Sequence, residues 1–292
     1  MHDNDTYPAL NSLSAIPNQA ESDEQLISLW LHGRSKHTQR AYSSDISKFC
    51  KSVNKALQQV TLGNLQSFAD ELIQSKLSDT SVKRILSSVK SLFSFGHRIG
   101  YLAFDVGAPL KIPACRETLT ERILSQEEVQ QIIASVENTR NRLIIKTLYY
   151  TGVRVSELVS LKWKDLQHRE EGGQMSILGK GGKSNVLLIP KDLWFELMLL
   201  RGTLSDDGPV FKSKKGGHLN ASHVQRILKE IALKAIGKGA TPHWYRHSHA
   251  SHALENGCPI HLVQKQLNHS SIATTGRYLH ARPTESSSKY LK

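Results

Sequence analysis

Six polar side chains, four of them in one stretch near the carboxyl end, have the types that a phosphodiester-cleaving site needs. That stretch, residues 241–278, reads TPHWYRHSHASHALENGCPIHLVQKQLNHSSIATTGRY. Arginine can hold a phosphate through two hydrogen bonds, and histidine and lysine can carry a proton to or from a reacting oxygen. The set consists of Arg154, Lys180, His243, Arg246, His269 and Tyr278. If the fold brings these side chains together, they predict phosphodiester chemistry.

Local signals place the four carboxyl-terminal members on consecutive short helices. We predict a helix over residues 243–255, with Thr241 as its N-cap and Pro242 at its first position. His243 and Arg246 are three residues apart, so they share one helix face in the first turn, where backbone N–H groups favour an anion.

A second helix, predicted over residues 259–267, ends just before His269. Ser270 or Ser271 can then cap a third segment that carries Tyr278. The stretch therefore predicts two helices, a loop with a histidine and a segment that presents a tyrosine.

Arg154 lies between a largely apolar helix predicted over residues 141–150 and another helix over 156–161. A guanidinium between two apolar elements is costly to bury without a counter-charge. The counter-charge of Arg154 is therefore either a bound phosphate or a neighbouring carboxylate such as that of Glu157.

Lys180 and Lys183 lie in the turn of a β-hairpin predicted from two short strands, 175–178 and 186–189. The letters GGKS resemble the end of a phosphate-binding P-loop. The first glycine of that motif would fall at Ile177, and a strand follows instead of a helix, so we reject nucleotide binding.

Composition indicates a soluble, cytoplasmic protein with an acidic partner. The chain has 292 residues, 39% of them hydrophobic, a formal net charge of +12 and a pI near 9.6. Nucleic acid is the commonest partner of so basic a chain, although charge alone does not separate DNA from RNA or a membrane surface. Three widely spaced cysteines predict neither a disulfide framework nor a zinc site, and no apolar run is long enough to cross a membrane.

The periodicity divides the chain into four parts. Residues 1–20 are polar and predicted to be disordered, 21–104 form a small helical bundle, 105–120 form a linker, and 121–292 form a second domain. Basic residues recur along the helices of the bundle, where they are either a solvated face or phosphate contacts. The candidate DNA contacts are Lys36, Arg40, Lys83, Arg84 and Lys90, together with Lys183 in the hairpin.

Five motifs, in this order and spacing, resemble those of the tyrosine recombinase (phage integrase) family. In size and layout the chain is most similar to the Xer-like members of that family. The five motifs are TGVRVSEL from Thr151, GKGGK from Gly179, the His243, Arg246 and His247 pattern, Leu267 with His269, and TTGRY ending at Tyr278. The resemblance spans about residues 21–279. It implies a mainly α fold with a small β-hairpin or sheet: a helical SAM-like core-binding domain followed by a mixed α/β catalytic domain.

The same resemblance implies a role for each of the six residues. Tyr278 is implied to be the nucleophile and Arg154 and Arg246 the phosphate clamps. Lys180 is implied to be the general acid. His243 and His269 occupy the positions of the family's two remaining catalytic residues.

These roles agree with the chemistry. Charge builds on the non-bridging oxygens during attack, where two guanidiniums can bind bidentately and a lysine cannot. The phenol, with an ordinary pKa of about 10, must lose its proton, and His243 is a candidate base. The phosphotyrosine conserves the energy of the broken bond, so neither ATP nor metal is needed. The implied partner is double-stranded DNA, bound by a homotetramer or by a heterotetramer with a paralogue, without a membrane.

One departure from the family pattern and one cluster of histidines lead to further expectations. Asn268 stands where the family has glycine before the histidine, and asparagine can adopt the positive φ that a tight turn needs. His247, His249 and His252 crowd one helix, and zinc is conceivable there. Their two- and five-residue offsets do not build a clean i, i+4 pair, and the family counterparts of His247 and His252 look structural.

Three functions fit this sequence. A site-specific recombinase is favoured. A type IB topoisomerase would use the same side chains, and a catalytically idle DNA-binding relative would retain the fold alone.

Overall fold

The computed structural model describes residues 19–114, 119–178 and 184–281. The chain divides into two compact units, residues Met1–Arg116 and Glu117–Lys292. The division falls inside the predicted linker, and the four-part arrangement of the sequence analysis stays a prediction.

The first unit is a helical bundle whose helices begin where the sequence supplies caps. Thr61 accepts a hydrogen bond from the Asn64 N–H, and the Asn64 side chain accepts one from the Thr61 N–H, which completes a capping box. The core is built from apolar residues at three and four spacing, such as Ile85, Leu86 and Val89. The helices are α1 (Asp23–Leu31), α2 (Lys36–Val53), α3 (Leu62–Gln74) and α4 (Asp79–Arg98).

Part of the predicted linker packs on this bundle. Leu110 is buried in the core of the first unit, and Lys90 Nζ donates to the carbonyl oxygens of Ala108 (2.7 Å) and Leu110 (3.0 Å). Residues 105–112 therefore belong structurally to the first unit, although they lack regular secondary structure.

In the second unit, helices pack against a three-stranded sheet. Its elements are α5 (Gln126–Ala134), α6 (Thr139–Thr151), α7 (Val155–Ser160), β1 (Leu166–Arg169), β2 (Gly172–Leu178), β3 (Ser184–Pro190), α8 (Lys191–Arg201), α9 (Ala221–Ile236), α10 (Pro242–Glu255), α11 (Ile260–Leu267) and α12 (Ile272–Ala281). A capping box starts α5, since Ser125 Oγ accepts a hydrogen bond from the Glu128 N–H at 3.1 Å and Glu128 Oε2 accepts one from the Ser125 N–H at 2.8 Å.

The sheet is antiparallel in the order β1-β2-β3, with Leu166 opposite Met175 and Met175 opposite Leu187. The β2-β3 hairpin confirms the predicted pair of strands. Strand β1 was not predicted: only Leu166 of its four residues is buried, so the segment lacks the alternation that identifies a half-buried strand.

Two apolar clusters hold the second unit together. The larger lies among α5 to α10 and the sheet, and a smaller one joins α10 to α12 through Ala250, Val263, Leu267 and Tyr278. The mainly α fold with a small sheet is confirmed. Of the helices in the described ranges, none combines the length and apolar character needed to cross a lipid bilayer.

Candidate active site

Arg246 lies at the centre of a site built by α6, α7, α10, α11 and α12. Its side chain is buried, with Nη1 donating to the carbonyl oxygen of Gly152 and Nη2 to that of Leu267. These carbonyls close the carboxyl ends of α6 and α11, where helix dipoles favour a cation. Burial and the Arg154 charge lower the pKa of Arg246 to about 10, while Glu157 acts in the opposite direction.

Gly152 makes the approach of these helices possible. It ends α6 with a φ of +64°, a conformation that favours glycine. A Cβ at this position would lie 2.7 Å from Leu267 Cδ2 and 2.9 Å from His249 Cδ2. The glycine therefore allows both the left-handed turn and the contact of α6 with α10 and α11.

Arg154 occupies the N-cap of α7 and is oriented by Glu157. The carboxylate of Glu157 accepts from the Arg154 backbone N–H at 2.8 Å and from Nη1 at 3.0 Å. The Arg154 side chain is 37% exposed and Glu157 only 9%, so the salt bridge considered from the sequence exists and leaves guanidinium surface accessible. Arg154 Nη2 also lies 3.5 Å from the carbonyl oxygen of Asn268, whose φ of +49° confirms the expected left-handed turn.

Tyr278 projects from α12 into this site and is only 6% exposed. Its ring lies parallel to that of His269 at 6.4 Å between centroids and contacts the His247 ring at 5.7 Å. The hydroxyl oxygen is 2.8 Å from Nδ1 of His247. Burial raises the pKa of Tyr278, and the charges of Arg246 and Arg277 offset part of that rise.

His269 and His243 border the same space. His269 Nδ1 is 2.9 Å from Thr275 Oγ1, and burial, Arg246 and Arg154 lower its pKa to about 4. His243 lies on the exposed side of α10, where its ring stacks on that of His247 at 6.3 Å. Its pKa is also lowered, by partial burial first and then by the neighbouring arginines.

The structure thus brings five of the six predicted site residues together. Lys180 and Lys183 lie outside the described residues. The sequence interpretation did not foresee His247 as a partner of Tyr278, although its spacing of four from His243 already placed both on one face of α10.

The candidate DNA contacts of the first unit have different surroundings. Lys36, Arg40 and Lys83 are exposed. Arg84 pairs with the buried carboxylate of Asp45, and Lys90 is bonded to two carbonyl oxygens. Their contact with DNA stays a prediction, and the last two also have a partner within the bundle.

The three histidines considered for zinc face three different groups. Nδ1 of His247 meets Tyr278, Nδ1 of His249 donates to the Tyr149 carbonyl oxygen at 2.8 Å, and Nδ1 of His252 lies 2.9 Å from the Tyr149 hydroxyl. Within the described ranges, no three histidine, cysteine or acidic side chains are grouped as metal ligands.

This arrangement can bind a phosphodiester and attack it. Two guanidiniums and one buried carboxylate leave an excess of positive charge, which suits the non-bridging oxygens of a phosphate. A phenol beside them supplies a nucleophile, and neutral imidazoles can exchange protons with it.

Comparison with known proteins identifies the family. The profile described as "Phage integrase family" matches residues 122–285, more than half of the chain, and "Phage integrase, N-terminal SAM-like domain" matches residues 24–100. The chain belongs to the phage integrase family of tyrosine recombinases. The predicted SAM-like domain and recombinase catalytic domain are thereby confirmed.

Similar tyrosine recombinases come from archaea and bacteria. Tyrosine recombinase XerA of Pyrococcus furiosus is 34% identical over 271 residues, covering 90% of this chain and 88% of the relative. Tyrosine recombinase XerC of Pseudomonas savastanoi pv. phaseolicola is 32% identical over 260 residues, with 84% and 86% covered. The chain is therefore a tyrosine-type DNA strand transferase, a site-specific recombinase, and the topoisomerase and idle-binder alternatives are not favoured.

A solved structure shares the fold. A lambda integrase tetramer bound to a Holliday junction has a TM-score of 0.69 with this chain at 19% identity, covering 92% of this chain and 83% of the integrase.

Proposed function

We propose that this tyrosine recombinase cuts DNA by attack of the Tyr278 hydroxyl on a backbone phosphorus. A 3′-phosphotyrosyl bond forms, the phosphorus to 5′-oxygen bond breaks, and a 5′ hydroxyl of another strand reverses the step. The energy of the phosphodiester stays in the covalent bond, so the reaction requires neither ATP nor metal. The observation that supports this proposal is the Tyr278 phenol, buried near the Arg246 guanidinium, whose charge acts on its pKa.

Arg154 and Arg246 are proposed to hold the non-bridging oxygens of the scissile phosphate. Arg246 approaches from the buried side, fixed by two carbonyls, and Arg154 approaches from the exposed side, fixed by Glu157. His269 and His243 are proposed to donate hydrogen bonds to phosphate oxygens once the phosphate is bound, because its negative charge counteracts the arginines that lower their pKa values.

Lys180 is proposed to protonate the departing 5′ oxygen from the β2-β3 hairpin, and Lys183 to contact a neighbouring phosphate. Lys36, Arg40, Lys83, Arg84 and Lys90 are the proposed backbone contacts of the first unit. Such contacts position a protein on a duplex without reading its sequence.

Strand exchange between two duplexes needs several active sites in one assembly. We therefore propose a tetramer on paired DNA sites, formed by four copies of this chain or with a paralogue. The fold it shares with lambda integrase, seen as a tetramer on a Holliday junction, is compatible with such an assembly. A cytoplasmic location goes with this proposal, because the DNA of bacteria and archaea such as the hosts of its relatives lies there.

Trapping of the covalent adduct tests the chemistry. The wild-type protein is mixed with nicked fragments of its host genome, so that the short 5′-hydroxyl strand diffuses away after cleavage and the adduct persists. Adducts are isolated under denaturing conditions, and sequencing of the trapped DNA identifies the cleavage site.

Tyr278→Phe is expected to abolish the adduct while DNA binding remains. Tyr150→Phe is the matched control, because Tyr150 is a partly exposed tyrosine on α6 that is not among the candidate site residues. The adduct yield of the Tyr150→Phe protein should equal that of the wild type. An adduct formed by the Tyr278→Phe protein, or none formed by the wild type, would contradict the proposal.

A further inference from the structure

The hydroxyl of Tyr278 has a proton acceptor in contact with it, and this acceptor is His247. Nδ1 of His247 lies 2.8 Å from the Tyr278 oxygen, within the range of a strong O–H to nitrogen hydrogen bond. His243, the base considered from the sequence, stacks on the His247 ring instead, with 6.3 Å between the ring centroids. Geometry therefore favours His247 over His243 as the group that meets the phenol proton.

His247 is neutral at physiological pH, so one ring nitrogen carries a lone pair. Burial lowers its pKa to about 4, with further contributions from His243 and Arg246 on α10, from Arg122 on the turn Thr120–Arg122, and from Arg277 on α12. All of these neighbours act in the same direction because each is or can become positive. The lone pair at Nδ1 can accept the phenol hydrogen.

A bound phosphate should raise the pKa of His247. Its negative charge, placed between Arg154 and Arg246, would screen the guanidinium charge that faces His247. The imidazole then becomes more basic when the substrate arrives, which is when a base is needed.

We propose that His247 is the general base that accepts the Tyr278 proton as the tyrosine attacks the scissile phosphorus. In this step the O–H bond of Tyr278 breaks and an N–H bond forms at Nδ1 of His247. The tyrosine oxygen bonds to phosphorus, the bond from phosphorus to the 5′ oxygen breaks, and a separate acid protonates that oxygen. The inference rests on the proposed phosphotyrosine chemistry and assigns one of its proton transfers.

His247→Asn tests this assignment, since an asparagine oxygen can occupy roughly the place of Nδ1 and accept a hydrogen bond but cannot take up the proton. His252→Asn is the matched control: His252 lies on the same helix, and its Nδ1 meets the hydroxyl of Tyr149, 2.9 Å away, which is not the nucleophile. The measurement is the rate of adduct formation on a duplex carrying a captured cleavage site, with a nick a few nucleotides beyond the scissile phosphate.

The expected loss for His247→Asn is about 10²- to 10⁴-fold at pH 7, the usual contribution of a general base. The His252→Asn protein should react at close to the wild-type rate, because the His252 ring contacts Tyr149 and not Tyr278. Without an internal base, attack depends on phenolate formed by solvent, so the His247→Asn rate should rise about tenfold per pH unit while the wild-type rate rises less steeply.

A substrate with sulfur in place of the bridging 5′ oxygen separates base from acid, because a thiolate leaves without protonation. The His247→Asn defect should persist on this substrate. Recovery of the wild-type rate there would place His247 on the leaving-group side and overturn the proposal. A wild-type rate for His247→Asn, or a reduced rate with the wild-type pH profile, would also overturn it.

These outcomes are distinct from failure of the proposed function. Absence of an adduct with the wild-type protein, or its presence with Tyr278→Phe, would remove the phosphotyrosine chemistry itself. Duplex affinity and thermal unfolding of the His247→Asn protein verify that it folds.

Discussion

Arg246 has both a structural role and a proposed role in binding the phosphate. Its two Nη groups are bonded to the carbonyl oxygens that end α6 and α11, and it is buried near Tyr278, the proposed nucleophile. A planar guanidinium can serve these carbonyls and still present N–H groups to a phosphate, whereas an ammonium is a compact point charge.

Arg246→Lys is therefore expected to lower the rate of adduct formation by about 10²- to 10³-fold, as for loss of one transition-state donor. Duplex affinity should change little, because the other phosphate contacts remain. Arg169→Lys on β1, where the side chain is exposed and bonded to Gln174, is the control and should retain the wild-type rate. An equal rate for Arg246→Lys would show that charge alone suffices at this position.

Three histidines of the second unit should make stability depend on pH. The pKa values of His247, His249 and His269 are lowered to about 4, in each case chiefly by burial. A group with a depressed pKa in the folded state binds its proton preferentially when unfolded. The free energy of unfolding should therefore be highest above about pH 6.5, the ordinary histidine value, and fall as the pH drops toward 4.

Urea denaturation at pH 7.5, 6 and 5 measures this loss. In the His249→Asn protein an amide can still donate to the Tyr149 carbonyl but does not titrate, so its unfolding free energy should fall less between pH 7.5 and 5. A decrease as steep as that of the wild type would mean that His249 does not contribute.

At the scale of elements, the carboxyl end of α6 determines how the site is assembled. Gly152 and Gly237 both end a helix with positive φ, +64° and +71°, but only Gly152 is enclosed by other side chains. Alanine substitutions at these two glycines therefore separate the cost of close packing from the cost of backbone conformation.

Gly237→Ala should cost about 1 kcal/mol of unfolding free energy, the strain of a left-handed alanine. Gly152→Ala should cost about 1–3 kcal/mol more, because its Cβ would collide with Leu267 and His249. It should also slow cleavage, since the Gly152 carbonyl supports Arg246. Chemical denaturation and adduct assays measure both effects, and equal losses for the two variants would contradict the packing argument.

The elements of the site were largely predictable from sequence because their ends carry specific signals. Pro242 starts α10, and Asn268 ends α11 in a left-handed turn. Motif order then predicted which side chains converge. The contact of His247 with the Tyr278 hydroxyl was not predictable, because it depends on how α12 packs against α10, and local spacing does not encode that packing.

Strand β1 is a second feature that could not be predicted from the sequence. Its sequence LQHR has no alternating apolar pattern, and it is a strand because β2 offers an edge for pairing. Likewise, the salt bridge from Arg84 to buried Asp45 could not be distinguished from a phosphate contact by sequence, since both use the same exposed guanidinium.

At the scale of the whole molecule, the net charge of +12 predicts binding to DNA that weakens strongly with salt. Lys36 and Arg40 are exposed on α2, and alanine at each position should reduce the slope of log affinity against log salt by about 0.9. Lys76→Ala, which removes an exposed charge not predicted to contact DNA, should leave the slope unchanged. Fluorescence anisotropy over a salt series measures these slopes, and unchanged slopes for both variants would remove α2 from the interface.

Lys90→Ala should behave differently, because this lysine is bonded to the carbonyl oxygens of Ala108 and Leu110. Its loss is expected to destabilise the first unit by about 1–2 kcal/mol through two charge-assisted hydrogen bonds, measured by denaturation. A normal unfolding free energy with a reduced salt slope would identify it instead as a DNA contact.

The hydrogen bonds that hold the two arginine side chains are present in the protein without nucleic acid. Arg246 donates to two carbonyl oxygens, and Arg154 donates to the carboxylate of Glu157. Ordering a long, freely rotating side chain during catalysis would cost about 1–2 kcal/mol for each arginine. Here that conformational entropy is already lost when the polypeptide folds. In the proposed mechanism, the scissile phosphate therefore meets arginine side chains that are already ordered, and the favourable energy of its binding remains available to lower the barrier to bond breakage.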